Sequence, residues 1–223
     1  MGAMNAKYGS ELHLLRWLGR HRVEFNEKVR QATGGLIVDR WLDFPFSKGT
    51  KSYDSEWKGV SFLPEGVQHH LDAVFPERWR SSMSWDAVGL ATDGTWILVE
   101  AKAHVGELKT QHKERKDIQL IRERLFDVAE KLGGIPENWT KEYYQAANRI
   151  FVQKVLSEEV KSVQLNVFFC GDRRRGVICP RGKSRWEAEI RKEYAALGLS
   201  EDNSFVSTHV KNLFLHVNSV DAV

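Results

Sequence analysis

The chain has 223 residues, 42% hydrophobic and 28% charged, a length and balance that allow one sizeable core and exclude a natively disordered polymer. No apolar run approaches membrane-spanning length and none follows Met1-Gly2-Ala3-Met4, so neither insertion nor export is expected. With 33 Lys and Arg against 30 Asp and Glu, the net charge is only +3, so a partner must be read from where the charges sit and not from their sum.

In chain order, Ser10 is placed to cap a helix running through Leu12, Leu15 and Leu18 to about Val29, with a break near Gly19 and a stop at Gly34-Gly35. Leu36-Ile37-Val38 starts a short strand. Residues 43 to 66 are rich in Pro, Gly, Ser and Lys and read as loop; a short helix follows from Val67 to Phe75. Residues 84–91 (SWDAVGLA) and 95–103 (TWILVEAKA) then read as neighbouring strands around the turn Thr92-Asp93-Gly94, whose Asp-Gly step tolerates positive φ. Helical spacing returns from Asp117 to Leu132 and ends at Gly133-Gly134. Thr140 is a cap for another helix, with Tyr144, Ala147, Phe151 and Val155 on one face. Val163 to Cys170 is a mostly apolar strand, Arg185 to Leu197 an amphipathic helix, and Val210 to Val217 a last strand. Cys170 and Cys179 cannot build a thiolate zinc site unaided, and a reduced, cytoplasmic setting is expected for them.

The chemistry is concentrated in the central pair of strands. Trp96, Leu98, Glu100 and Lys102 share one parity and Ile97, Val99, Ala101 and Ala103 the other, so Glu100 and Lys102 point the same way. Asp86, between Trp85 and Ala87-Val88, is expected to meet them at one edge of the sheet. The competing reading is a surface hairpin with an ordinary Glu/Lys pair. Burial separates the two, because charged residues are rarely placed next to runs such as Ile97-Leu98-Val99 without a partner. Carboxylate oxygens suit magnesium or manganese, and metal-assisted attack of water on a phosphodiester is the chemistry that fits.

Asp86, thirteen residues and then Glu100-Ala101-Lys102, on two adjacent strands, resembles the signature of the PD-(D/E)xK nuclease superfamily, although Ser84-Trp85 stands where a Pro is usual. The resemblance covers roughly residues 80 to 170. It implies an α/β, restriction endonuclease-like αβββαβ core with a mixed central sheet flanked by helices, here with extra helices and a C-terminal strand in a single domain over residues 1–223. It further implies that Asp86, Glu100 and the carbonyl of Ala101 hold Mg2+, for which Mn2+ substitutes, while Lys102 positions and activates the water. Family members often add an acid from the first helix; Gly9-Ser10-Glu11 is similar to that opening and favours Glu11, with Glu24 and Glu27 as competitors. The first turn of a helix also favours an acid for its dipole alone. The implied activity is cleavage of DNA by an endonuclease of restriction or repair type. The alternatives are a non-catalytic nucleic-acid-binding or scaffold protein of the same fold and an RNA-directed nuclease. A homodimer is the arrangement by which many relatives cut both strands.

Several residues outside the motif bear on nucleic acid. Arg173, Arg174, Arg175, Arg181, Lys183 and Arg185 fall within thirteen residues that contain no acid, just after the strand ending at Cys170, where they either clamp phosphates or form a solvated turn. Gln145 and Arg149, four apart on a helix, can reach one groove and are candidates to line a strand of nucleic acid. His104 shares the parity of Lys102 and is a candidate for phosphate contact or proton transfer, against a solvated strand end. Trp41, Trp57, Trp79 and Trp186 are either base-stacking platforms or packing anchors, whereas Trp85 and Trp96 are expected to be structural.

Overall fold

The computed structural model describes residues 9–47, 53–54, 56–75, 83–109 and 116–218; Trp79 lies outside them. The first helical segment is two helices, α1 (Ser10–Arg20) and α2 (Arg22–Ala32). The break comes at His21 and not at Gly19, because Arg22 Nε takes the carbonyl of Leu18 at 2.7 Å and the His21 N–H closes back on Trp17. Ser10 is the first helical residue and not the cap; its hydroxyl donates to Glu107 instead, at 3.3 Å.

After α2, the short strand β1 (Val38–Trp41) begins two residues later than the sequence suggests. The loop-rich stretch contains β2 (Phe46–Ser47), β3 (Tyr53–Asp54) and β4 (Trp57–Lys58), and α3 covers Glu65–Asp72. Next come β5 (Ser84–Trp85), β6 (Ala87–Ala91) and β7 (Trp96–Lys102). Gly94, at φ 83°, closes the β6–β7 turn, and both Asp93 carboxylate oxygens are held by Thr95. A 3-10 turn (Val105–Glu107) leads to α4 (Lys116–Lys131) and α5 (Tyr144–Glu159). Thr140 does not cap α5: residues 136–143 form a 3-10 turn and further turns around the buried Trp139, whose indole N–H donates to Leu197 O. The chain ends in β8 (Ser162–Cys170), α6 (Lys183–Leu197), α7 (Ser204–His209) and β9 (Val210–His216).

This is an α/β fold around a five-stranded mixed sheet of order β1-β6-β7-β8-β9. The β1–β6 and β6–β7 pairs are antiparallel, whereas β7–β8 and β8–β9 are parallel. Alternation along the strands feeds two cores. Ile97, Val99 and Ala101 pack with Leu165, Val167, Leu14, Trp17 and Phe25 under α1 and α2. The opposite face packs Val88, Leu98 and Phe168 against Ile121, Leu125, Ala147, Phe151, Trp186 and Ile190 of α4, α5 and α6. β7 and β8 are covered on both faces, which is why their alternation is hard to see against near-continuous apolar sequence.

Candidate functional site

The β6–β7 register sets Ala87 opposite Val99, so Asp86, at the bend between β5 and β6, falls beside Glu100. Its backbone N–H donates to Val99 O at 3.0 Å, and its Oδ2 accepts the Ala101 N–H at 2.6 Å. The carboxylate is thereby fastened to the residue between Glu100 and Lys102. Burial and the negative charge of Glu100 push the Asp86 carboxyl well above its ordinary range.

Glu100 and Lys102 project from the same face of β7 and are only 7% and 9% exposed. The Lys102 ammonium donates to Glu100 Oε1 and, at 3.0 Å, to Gln145 Oε1. Gln145 Nε2 donates to the same Glu100 oxygen at 2.7 Å. The other oxygen, Oε2, receives Arg149 Nε at 2.9 Å and Nη2 at 2.8 Å. Burial opposes ionisation of Glu100, but the Lys102 and Arg149 charges overcome it and hold the carboxyl below its usual range. For Lys102, burial works against the ammonium, and Glu100 and Asp86 lift it above the ordinary lysine value all the same. The four groups form one buried ionic cluster.

The spacing of Gln145 and Arg149 does bring both to one place, but that place is a carboxylate inside the fold. Arg149 is 5% exposed, its guanidinium 4.6 Å over the Trp85 ring. The cluster borders a cavity of about 30 Å3, room for one or two waters, that Asn166, Gln164 and Glu193 also line. Gln164 Oε1 has no hydrogen-bond partner there. Glu193, 6% exposed on α6, is pushed up to about 8 by burial. Neither residue was nominated by the sequence. Gln164 and Asn166 could have been, as polar residues at alternate positions of an apolar strand in register with Leu98 and Glu100. Glu193 looks like any acid on an amphipathic helix until α6 is docked.

Glu11 occupies the first turn of α1, whose packing layer covers the sheet face opposite the Glu100 and Lys102 side chains. Glu24 is exposed in the first turn of α2, and Glu27 pairs with Arg30 at 2.8 Å. Glu107 ties down the chain beyond Lys102: its Oε2 accepts the N–H groups of Ala103 and His104 at 2.6 and 3.0 Å.

The basic segment leaves β8 at the same end of the parallel strands as Lys102, which is in register with Phe168. Arg173, Arg174, Arg175, Arg181, Lys183 and Arg185 are all exposed. Arg174 Nη1 lies 3.4 Å from His104 Nε2, so the loop reaches back over the exit of β7. An open pocket bordered by Arg173, Arg174, Arg181 and His216 lies in this region. Lys183 and Arg185 pair along α6 with Glu187 at 3.6 Å and Glu189 at 2.9 Å. Trp41 and Trp186 are buried, with indole N–H groups donated to Asn26 and to Phe169 O; Trp57 is half-buried.

Among the described residues, no three or more His, Cys, Asp or Glu gather as a metal-holding group. The proposed set of Asp86, Glu100 and the Ala101 carbonyl is all oxygen, which suits magnesium, and the surplus negative charge felt by Asp86 is what a cation relieves. Asp86 is the more available carboxylate, since both Glu100 oxygens are already bound. Cys170 and Cys179 are free thiols, and among the described residues no helix is long and apolar enough to cross a membrane. Comparison of the chain with family models, with curated proteins and with solved structures finds no match.

Proposed function

We propose that this protein is a magnesium-dependent phosphodiesterase acting on DNA, an endonuclease of the PD-(D/E)xK type with a restriction endonuclease-like core. The observation that carries the reading is the fastening of Asp86 to the Ala101 N–H, which gathers two carboxylates and an ammonium around the Glu100-Ala101-Lys102 step. The order α1/α2, β1, β6, β7, α4/α5, β8, with β9 beside β8, supports the reading of an αβββαβ core.

In this reading Asp86, Glu100 and the Ala101 carbonyl would hold the ion. An ion held there would polarise the scissile phosphate and lower the pKa of water. Lys102, fixed by Glu100 and Gln145, orients the attacking water and balances the charge that grows on the phosphate oxygens. The exposed arginines after β8 bind the flanking phosphates without reading bases. A non-catalytic nucleic-acid-binding role is the second reading, and the saturation of Glu100 by Lys102, Gln145 and Arg149 favours it.

The deciding experiment is cleavage of linear, circular, single-stranded and branched DNA, with RNA alongside, in magnesium or manganese. Wild type is expected to cut a DNA substrate, and Lys102→Ala to lose about a hundredfold or more of that activity. Equal rates for the two proteins exclude this site as the source of cleavage, and RNA as the preferred substrate moves the assignment to the RNA-directed alternative.

A further inference from the structure

No motif position accounts for Arg149, which α5 delivers into the interior against the catalytic face of the sheet. Its contacts span both strands that carry the acidic pair. Nε and Nη2 hold Glu100 Oε2, while Nη2 also donates to the carbonyl of Ser84, two residues before Asp86, and the guanidinium carbon lies 4.6 Å over the ring of Trp85, one residue before it. A planar, permanently charged fork can satisfy an acceptor on each strand and an aromatic face together; a lysine ammonium could supply the charge but not that geometry.

The electrostatic consequence is as specific as the geometric one. Lys102 and Arg149 both lie on Glu100, whereas Asp86 is held by a backbone N–H. Two carboxylates and two cations sum to zero, unevenly distributed: Glu100 is compensated twice and Asp86 is left in excess. A divalent ion approaching this set meets a weaker attraction than it would at a bare carboxylate pair. Glu100 Oε1 is shared by Lys102 and Gln145, so Oε2 is the oxygen that Arg149 alone controls.

We propose that Arg149 is a positioning residue that fixes the separation of Asp86 and Glu100 and sets the affinity of that pair for a divalent cation, loosening its hold on Glu100 Oε2 when the cation binds. The proposal rests on the nuclease reading of Asp86 and Glu100. The Ser84 carbonyl and the Trp85 ring keep the guanidinium in place while Oε2 is shared, so the exchange costs no buried, partnerless charge.

Two reporters inside the unaltered protein separate the outcomes. The Ala101 amide, bound by Asp86, senses occupancy of the acidic pair; the Arg149 Nε–H, bound by Glu100, senses release of Oε2. In a magnesium titration followed by NMR, both resonances are expected to move, and the Arg149 Nε–H to lose protection from solvent exchange. Movement of Ala101 with Arg149 unchanged overturns the proposal and leaves the metal reading standing. If neither moves at any magnesium concentration the protein tolerates, the metal reading falls and takes the proposal with it. Calorimetry with manganese adds a second arm: Arg149→Met is expected to bind about tenfold more tightly than wild type, because one compensating charge is gone. Arg149→Lys, which keeps the charge, is expected to stay close to wild type. An unchanged affinity in a folded Arg149→Met protein overturns the proposal; should that variant fail to fold, the titration of the unaltered protein decides alone.

Discussion

At the scale of single residues, the acids of the site differ in what their loss does, and that difference separates structure from chemistry. Glu100 is the hub of a buried ionic cluster, so Glu100→Ala leaves Lys102 and Arg149 as interior cations without their carboxylate. A loss of about 3–5 kcal/mol of stability is expected in urea unfolding. Asp86→Ala removes one backbone-anchored acceptor and relieves repulsion with Glu100, so its expected cost is only about 1 kcal/mol or less. A nuclease defect in Asp86→Ala is therefore the cleaner evidence for a catalytic role. Glu193 makes a separate prediction. Burial raises its carboxyl from 4.5 to about 8, so the folded chain binds the extra proton across that window and loses stability as pH rises through it. Glu193→Gln, an isostere of the protonated form, should lie close to wild type near pH 5 and exceed it at pH 9 by roughly 4 kcal/mol. Parallel melting curves for the two proteins across that range would refute this.

At the scale of elements, the edge strand β1 pairs antiparallel with β6 and makes one contact there that leaves no room for a larger side chain. Gly89 of β6 faces the Trp41 ring so tightly that an added Cβ would sit 2.9 Å from it, and Trp41 in turn donates its indole N–H to Asn26 of α2 at 2.8 Å. Glycine here serves packing, since its φ is not positive. Gly89→Ala forces the indole outward and loosens β1 and α2 together, at a cost of about 1–3 kcal/mol. Hydrogen exchange should locate that loss at Val38–Trp41 and α2, with β7 and β8 still protected. Uniform loss of protection would mean that the edge and the central strands open as one unit.

At the scale of the molecule, the small net charge of +3 conceals a local concentration of basic residues after β8. The exposed arginines after β8 gather at the sheet end where β7 delivers Lys102, and Arg174 meets His104 there. Replacing Arg173, Arg174 and Arg175 together by Ala should weaken DNA binding across unrelated sequences. It should also reduce the slope of log affinity against log salt by up to about 3, one unit for each phosphate that is no longer neutralised. An unchanged slope would assign the loop to solvent. Because Lys183 and Arg185 are already paired with Glu187 and Glu189, their replacement should change the slope less.

The strand pair and its turn were legible in the sequence because they depend on local rules: alternation puts Glu100 and Lys102 on one face, and Asp93-Gly94 permits the turn that brings Asp86 alongside. The order of helices and strands was legible for the same reason, with errors at ends such as Ser10 and Thr140, where a distant partner, Glu107 or the core around Trp139, outweighs the local capping preference. What only the tertiary structure decided is which charges meet. Arg149 follows Glu100 by forty-nine residues and Glu193 lies on a helix further on still, so no spacing rule links them. Their places follow from α5 and α6 docking on the face that β7 and β8 present, where burial removes water as a competing partner and makes ion pairing the lowest-energy use of each charge.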